Sequence, residues 1–398
     1  MPISLRDKLK AVDKPKPQPE EKPAAAPSMS CYHESHTFPL QELKDIPNDL
    51  EVSGRSLGLV LGQELPFDTI DPYRVLYLDT ETTGLSGGVG TLAFMVGAGY
   101  FTKDGFTVHQ WVMRDYPEER FMLSALEVLC QRFDYVVTFN GKTFDMPLLQ
   151  ARFLMNRMGT QSLDKMYHAD LLHPSRRVWK LRLKSCRLSK LEEEIFHAPR
   201  EHDLPGSEAP ERFFRFLQSG DFMLLREVID HNRQDIISLA RILYKLLYAF
   251  EKPEQQSFFE DIFSIGKALD KQGETDLARR CYYLCTGGSI KTQAQMNLGR
   301  SFKRAKEIDE AIFAYQRMIE AREGGIAPYV ELAKLYEHHR RDVKKALEIT
   351  RAAIMLVSEP SIQTKDAMQE LQNALQYRYM RLVKKAQGNM FVKEAQAT

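Results

Sequence analysis

The 398 residues are enough for two or three domains, and 55 Lys and Arg against 54 Asp and Glu leave a net charge of +1, so affinity for a polyanion must come from local clustering. Five scattered cysteines, Cys31, Cys130, Cys186, Cys281 and Cys285, argue against a disulfide framework and for a reducing compartment. No long apolar run suggests a membrane span or signal-peptide core, so the expected location is cytoplasmic and no membrane partner is expected.

Residues 1–30 are rich in Lys, Pro, Glu and Ala, too poor in apolar groups to offset the entropy of ordering, and are expected to be a disordered tail. Cys31, His33 and His36 lack a fourth ligand at zinc-finger spacing. Up to Asp71 the turn-formers Pro39, Pro47, Gly54, Gly62 and Pro66 leave room for short elements only, which makes residues 31–70 an extension against the first domain. The apolar run Tyr73, Val75, Leu76 then predicts a buried strand with Asp79 and Glu81 at its end. Residues two apart in an extended chain point the same way. The two carboxylates therefore face one point, where a hard cation such as Mg²⁺ or Mn²⁺ relieves their repulsion; the plainer alternative is two acids capping a turn.

Leu85 to Gly90 is glycine-rich but followed by neither a helix start nor Lys-Ser/Thr, so it reads as a turn between antiparallel strands. Strands are predicted over 92–101, 106–113 and 135–139, with an amphipathic helix over 118–131, an order that implies a mixed sheet with flanking helices. The fourth strand runs into Asn140-Gly-Lys-Thr-Phe-Asp145 and a helix through Arg157. Asp145 at that junction is either an N-cap or a third carboxylate for the site.

Arg176, Arg177, Lys180, Arg182, Lys184, Arg187 and Lys190 then form a basic stretch around Trp179. Such a run is either a solvated face or a surface for phosphates, with the indole free to stack on a base. Arg200 is a further candidate for substrate contact. On a helix predicted over 222–250, His231 and Asp235 share one face while Ile236, Leu239, Leu243, Leu246 and Leu247 pack the other. From Phe258, Gly266, Leu269, Ala278 and Tyr282 recur 33 positions on as Gly299, Phe302, Ala311 and Tyr315, and Ala333, Tyr336 and Ala346 follow at a similar period. This is the alternation of tetratricopeptide helix pairs, which either bind a partner or brace the enzyme domain.

Taken together, the three motifs Asp79-Thr-Glu81, Asn140 to Asp145 and His231 to Asp235 resemble those of DEDD-type 3′–5′ exonucleases of the ribonuclease H-like superfamily. The segment Leu171-Leu-His-Pro-Ser-Arg-Arg and the helical repeats are similar, more narrowly, to YprB-like bacterial proteins. The resemblance implies an α/β ribonuclease H-like mixed sheet with flanking helices over 71–252, followed by an all-α tetratricopeptide-repeat domain over 256–388. It implies two divalent cations, Mg²⁺ or Mn²⁺, on Asp79, Glu81, Asp145 and Asp235, His231 as the base that activates water, and hydrolysis of DNA in repair. RNA is the alternative substrate, and a scaffold with a spent nuclease domain the alternative role. Thr82, Thr83, Gly84 and Asn140 are implied near the terminal nucleotide, Arg176, Arg177, Trp179 and Lys180 along the nucleic acid, and a protein partner such as a helicase on the repeats. One departure is visible: three residues separate His231 from Asp235 where the histidine branch usually has four, which turns the imidazole by about 100° around the helix.

Overall fold

The computed structural model describes residues 30–84, 90–200, 204–357 and 365–395. The expected tail and most of the glycine-rich turn at 85–90 lie outside the described residues. The elements before the sheet's centre are β1 (Tyr32–Phe38), β2 (Val52–Ser53), α1 (Gly54–Leu61) and β3 (Thr69–Ile70). Next come β4 (Val75–Thr82), β5 (Ala93–Thr102), β6 (Gly105–Val112), α2 (Glu119–Cys130) and β7 (Tyr135–Thr138). They are followed by α3 (Asp145–Met155), α4 (Gln161–Asp164), β8 (Tyr167–Asp170), α5 (Leu172–Trp179), α6 (Leu188–Phe196), α7 (Ala209–Ser219) and the long α8 (Arg226–Glu251).

The main sheet has the order β1-β6-β5-β4-β7-β8. Its β1, β6, β5 and β4 are antiparallel in sequence of pairing, while β4, β7 and β8 are parallel. The edge strand β1 is a feature the sequence reading missed. In Tyr32-His-Glu-Ser-His-Thr-Phe the apolar residues are too few to give a period-two signal, yet the segment pairs with β6 from Tyr32↔Val112 to Phe38↔Phe106. Strand β4 also differs from expectation: it starts at Val75, because Asp71 caps a 3-10 turn through Pro72–Arg74, and it runs on to Thr82. Asp79 and Glu81 thus lie within the strand, just before a register shift between Glu81 and Thr82.

Alternation along β4 divides the core. Leu76 and Leu78 pack with Met122, Leu126, Val136, Leu149 and Phe153 under α2 and α3. Val75 and Tyr77 pack with Phe101, Phe106, Ile236, Leu239 and Leu243 under α8. Helix α8 comes close to the sheet because β5 offers glycine beneath it. A Cβ on Gly97 would fall 2.0 Å from Asn232 Oδ1, and one on Gly99 2.4 Å from Ile236. At that approach the polar first half of α8 lies over the C-terminal end of β4.

The rest is helical: α9 (Phe259–Lys271), α10 (Thr275–Leu284), α11 (Lys291–Arg304), α12 (Ile308–Glu320), α13 (Ala327–Leu335), α14 (Val343–Val357) and α15 (Lys365–Ala395). The recurring small residues sit where helices touch. A Cβ on Gly266 would meet that of Cys281 at 2.8 Å, and one on Gly299 the Tyr315 ring at 2.6 Å. One apolar cluster runs unbroken from Leu43 through α8 to Leu335, so these helices share their core with the sheet. None of the described helices is long and apolar enough to cross a membrane.

Candidate functional site

Three segments bring four acids to the C-terminal ends of the parallel strands. Asp79 and Glu81 point from β4 to the α8 side, Asp145 opens α3, and Asp235 comes from the third turn of α8. Glu81 and Asp145 are buried and Asp79 and Asp235 partly so. Asp79 and Glu81 feel the other acids most directly. The Asp79 carboxyl is pushed well above the usual range by burial first, then by Asp235, Asp145 and Glu81. Glu81 is pushed up in the same way, by burial and then by Asp235 and Asp145, with Arg200 opposing. Burial raises Asp145 from 3.8 to about 6 against a hydrogen bond from Thr80. Burial also raises Asp235, against the opposing charge of Arg200 and His231. Buried carboxylates that raise one another's pKa are a site short of positive charge.

Protein groups hold these carboxylates individually. Asn232 Nδ2 donates to Asp79 Oδ2 at 2.9 Å, while Asn232 Oδ1 accepts from the fully buried Gln110 at 3.0 Å. Gln110 also donates to the Ile229 carbonyl at 2.7 Å, which fixes the start of α8 to β6. Thr80, from the opposite face of β4, donates its hydroxyl to Asp145. Asp235 accepts from Arg200 Nη2. Arg200 is itself anchored on Glu192, which has no solvent exposure, by bonds of 2.5 and 2.7 Å, and Ser238 also donates to Glu192. A buried acid with two donors positions the guanidinium.

The same Arg200 reaches His231: Nη1 lies 2.9 Å from Nδ1. A guanidinium only donates, so Nδ1 is the acceptor and the neutral ring carries its proton on Nε2, 3.5 Å from Asp235. His231 and Asp235 thus share one face of α8, as their spacing predicts. Asn232, Thr80, Gln110, Glu192 and Arg200 complete the cluster. Of these the sequence reading singled out Arg200 alone; Thr80 stands between Asp79 and Glu81 and Asn232 directly after His231, which was the available signal.

Other expected contacts need correction. Trp179 is 1% exposed inside the core, so its indole is not available to stack on a base. Arg177 is half-buried and donates to the Val60 and Leu61 carbonyls, bracing α1. Arg182 pairs with the buried Asp261 at 2.9 Å and lies 4.0 Å from the Phe258 ring centroid, tying α5 to α9. Thr83 closes the β4–β5 hairpin, its hydroxyl accepting from Leu92 N at 3.2 Å, and Thr82 donates to the Gly84 carbonyl at 2.8 Å. Asn140 takes a left-handed φ of 69°, held by buried Asp170, which accepts from the Asn140 and Lys142 amides at 2.8 and 3.0 Å.

Hard oxygen donors with raised pKa values suit Mg²⁺ or Mn²⁺. Among the described residues no three of His, Cys, Asp and Glu are grouped as a ready cage, and Asp79, Asp145 and Asp235 each accept from a protein donor, Asn232, Thr80 and Arg200. The donor chemistry fits a divalent cation, with side-chain rotation needed to close round it.

Residues 76–248 match the model of the RNase_H superfamily. The chain is similar to the uncharacterized protein YprB of Bacillus subtilis (strain 168), 29% identical over 293 residues that cover 71% of this chain and 69% of that one. The solved structure of a family B DNA polymerase from the hyperthermophilic archaeon Pyrobaculum calidifontis aligns with 56% of this chain and 30% of its own, at 17% identity and a TM-score of 0.38. The chain thus carries, over residues 76–248, an RNase H-like superfamily domain.

Proposed function

We propose that the protein is a metal-dependent 3′–5′ exonuclease that hydrolyses phosphodiester bonds in DNA. The observation that carries this reading is the gathering of Asp79, Glu81, Asp145 and Asp235 at one end of the sheet, where the charges of Asp145 and Asp235 push up both Asp79 and Glu81. When bound there, two divalent cations would stabilise the entering and leaving oxygens of an in-line displacement at phosphorus. Asn232 and Thr80 orient Asp79 and Asp145. His231 takes the proton of the attacking water, for which Arg200 has to release Nδ1, either to free that nitrogen as the acceptor or to let it carry the ring proton so that Nε2 accepts. The helix pairs after Phe258 are read as tetratricopeptide-like repeats that hold a protein partner; the chemistry does not depend on that role.

The test uses DNA and RNA strands labelled at the 3′ or the 5′ end, with Mg²⁺, Mn²⁺ or EDTA. The expected result is a metal-dependent DNA ladder shortening from the 3′ end and absent in Asp79→Ala. His231→Ala is expected to lower turnover by at least ~100-fold with strand binding unchanged. Shortening of RNA in preference to DNA would replace the substrate, and no cleavage with any metal would reject the enzyme.

A further inference from the structure

The basic stretch divides sharply in the fold. Arg177, Arg182 and Lys190 are spoken for, by the α1 carbonyls, by Asp261, and by Glu193 and Glu194. Arg176, Lys180, Lys184 and Arg187 are exposed and have no ion-pair partner among the described residues. These same side chains line one cavity of about 580 Å³, together with Phe139 and Asn140. Cations without counter-charges gathered round one hollow repel each other, and an anion relieves that repulsion.

Two features give the cavity a direction. Helix α6 begins in its wall with Arg187 at the N-cap and no side-chain bond to its first turn, so backbone N–H groups and the positive end of the helix dipole add to the cations. Asn140 also lines the cavity. It begins the loop that ends at Asp145, and since β4, β7 and β8 are parallel, cavity and carboxylates open on the same edge of the sheet.

We propose that this cavity is the phosphate site for the nucleic-acid strand, gripping the sugar-phosphate backbone on the 5′ side of the nucleotide being removed. The inference rests on the nuclease reading, since it takes the terminal nucleotide to lie at the carboxylates. The cavity reads charge: four of its lining side chains are cations, Trp179 is turned into the core, and its one aromatic, Phe139, could stack on any base alike. It therefore binds strands without regard to sequence.

The experiment measures binding of a fluorescein-labelled 12-nucleotide DNA strand in EDTA across a range of salt, for wild type and for Lys184→Ala/Arg187→Ala. A second pair, Lys44→Ala/Lys103→Ala, removes the same charge elsewhere. The expected result is at least ~10-fold weaker binding at low salt and a log–log salt slope shallower by about 1.4 in the cavity variant alone. Alongside, the p-nitrophenyl ester of thymidine 5′-monophosphate is hydrolysed with Mn²⁺. It has no strand to reach the cavity, so the variant should match wild type. Unchanged affinity and slope, or equal losses in both double variants, would overturn the cavity site. Wild type that cleaves neither ester nor strand would sink the nuclease reading, and the binding arm would still decide the cavity.

Discussion

At the scale of single residues, Arg200 has the largest set of roles. Its guanidinium joins Glu192, Asp235 and His231, and it supplies the positive charge that the carboxylates otherwise lack. The arrangement depends on Glu192, a carboxylate buried at zero exposure. Removing one member of such a buried pair leaves the other charge uncompensated. Glu192→Ala should therefore cost about 3 kcal/mol in urea unfolding. The double variant Glu192→Ala/Arg200→Met should recover part of that loss, because the guanidinium stripped of Glu192 is gone, and only part, because Asp235 loses its cation. A double variant as unstable as the sum of two singles would show that the pair is not coupled.

Among elements, the placement of α8 on β5 decides whether the site forms. Gly97 leaves room for Asn232, and Asn232 in turn holds Asp79. Gly97→Val should push the helix off the strand, destabilise by about 1–3 kcal/mol as an overpacked core does, and lower turnover well beyond that of Val96→Ala. Equal activity in the two variants would mean that the close approach is dispensable. The strand alternation that aims Asp79 and Glu81 together was legible in the sequence, as was the shared face of His231 and Asp235, since both follow from local periodicity. Long-range partners were not. Nothing local couples Gln110 to Asn232 or Arg200 to Asp235 across the fold, and the cations around Trp179 say nothing of the core it enters. Edge strand β1 escaped because its alternation is nearly all polar. Its pairing comes from the β6 edge it covers.

At the scale of the whole molecule, the sheet and the paired helices share one apolar cluster, fastened at Arg182–Asp261 and Arg55–Glu274. Melting should then be a single transition, and a ligand bound at the carboxylates should raise the midpoint of the entire chain. That linkage offers the most direct test of the central claim, that Asp79, Glu81, Asp145 and Asp235 are one cation site. The measurement is the melting temperature of wild type and Asp79→Asn at neutral pH, in EDTA and in excess Mn²⁺. The account predicts that Mn²⁺ raises the wild-type midpoint by several degrees, about 2.7 kcal/mol of stabilisation at a hundredfold excess over Kd. It also predicts that Asp79→Asn, relieved of one mutually repelling charge, melts higher than wild type in EDTA and gains little from Mn²⁺. A wild type indifferent to Mn²⁺, or a variant that gains as much as wild type does, would contradict it.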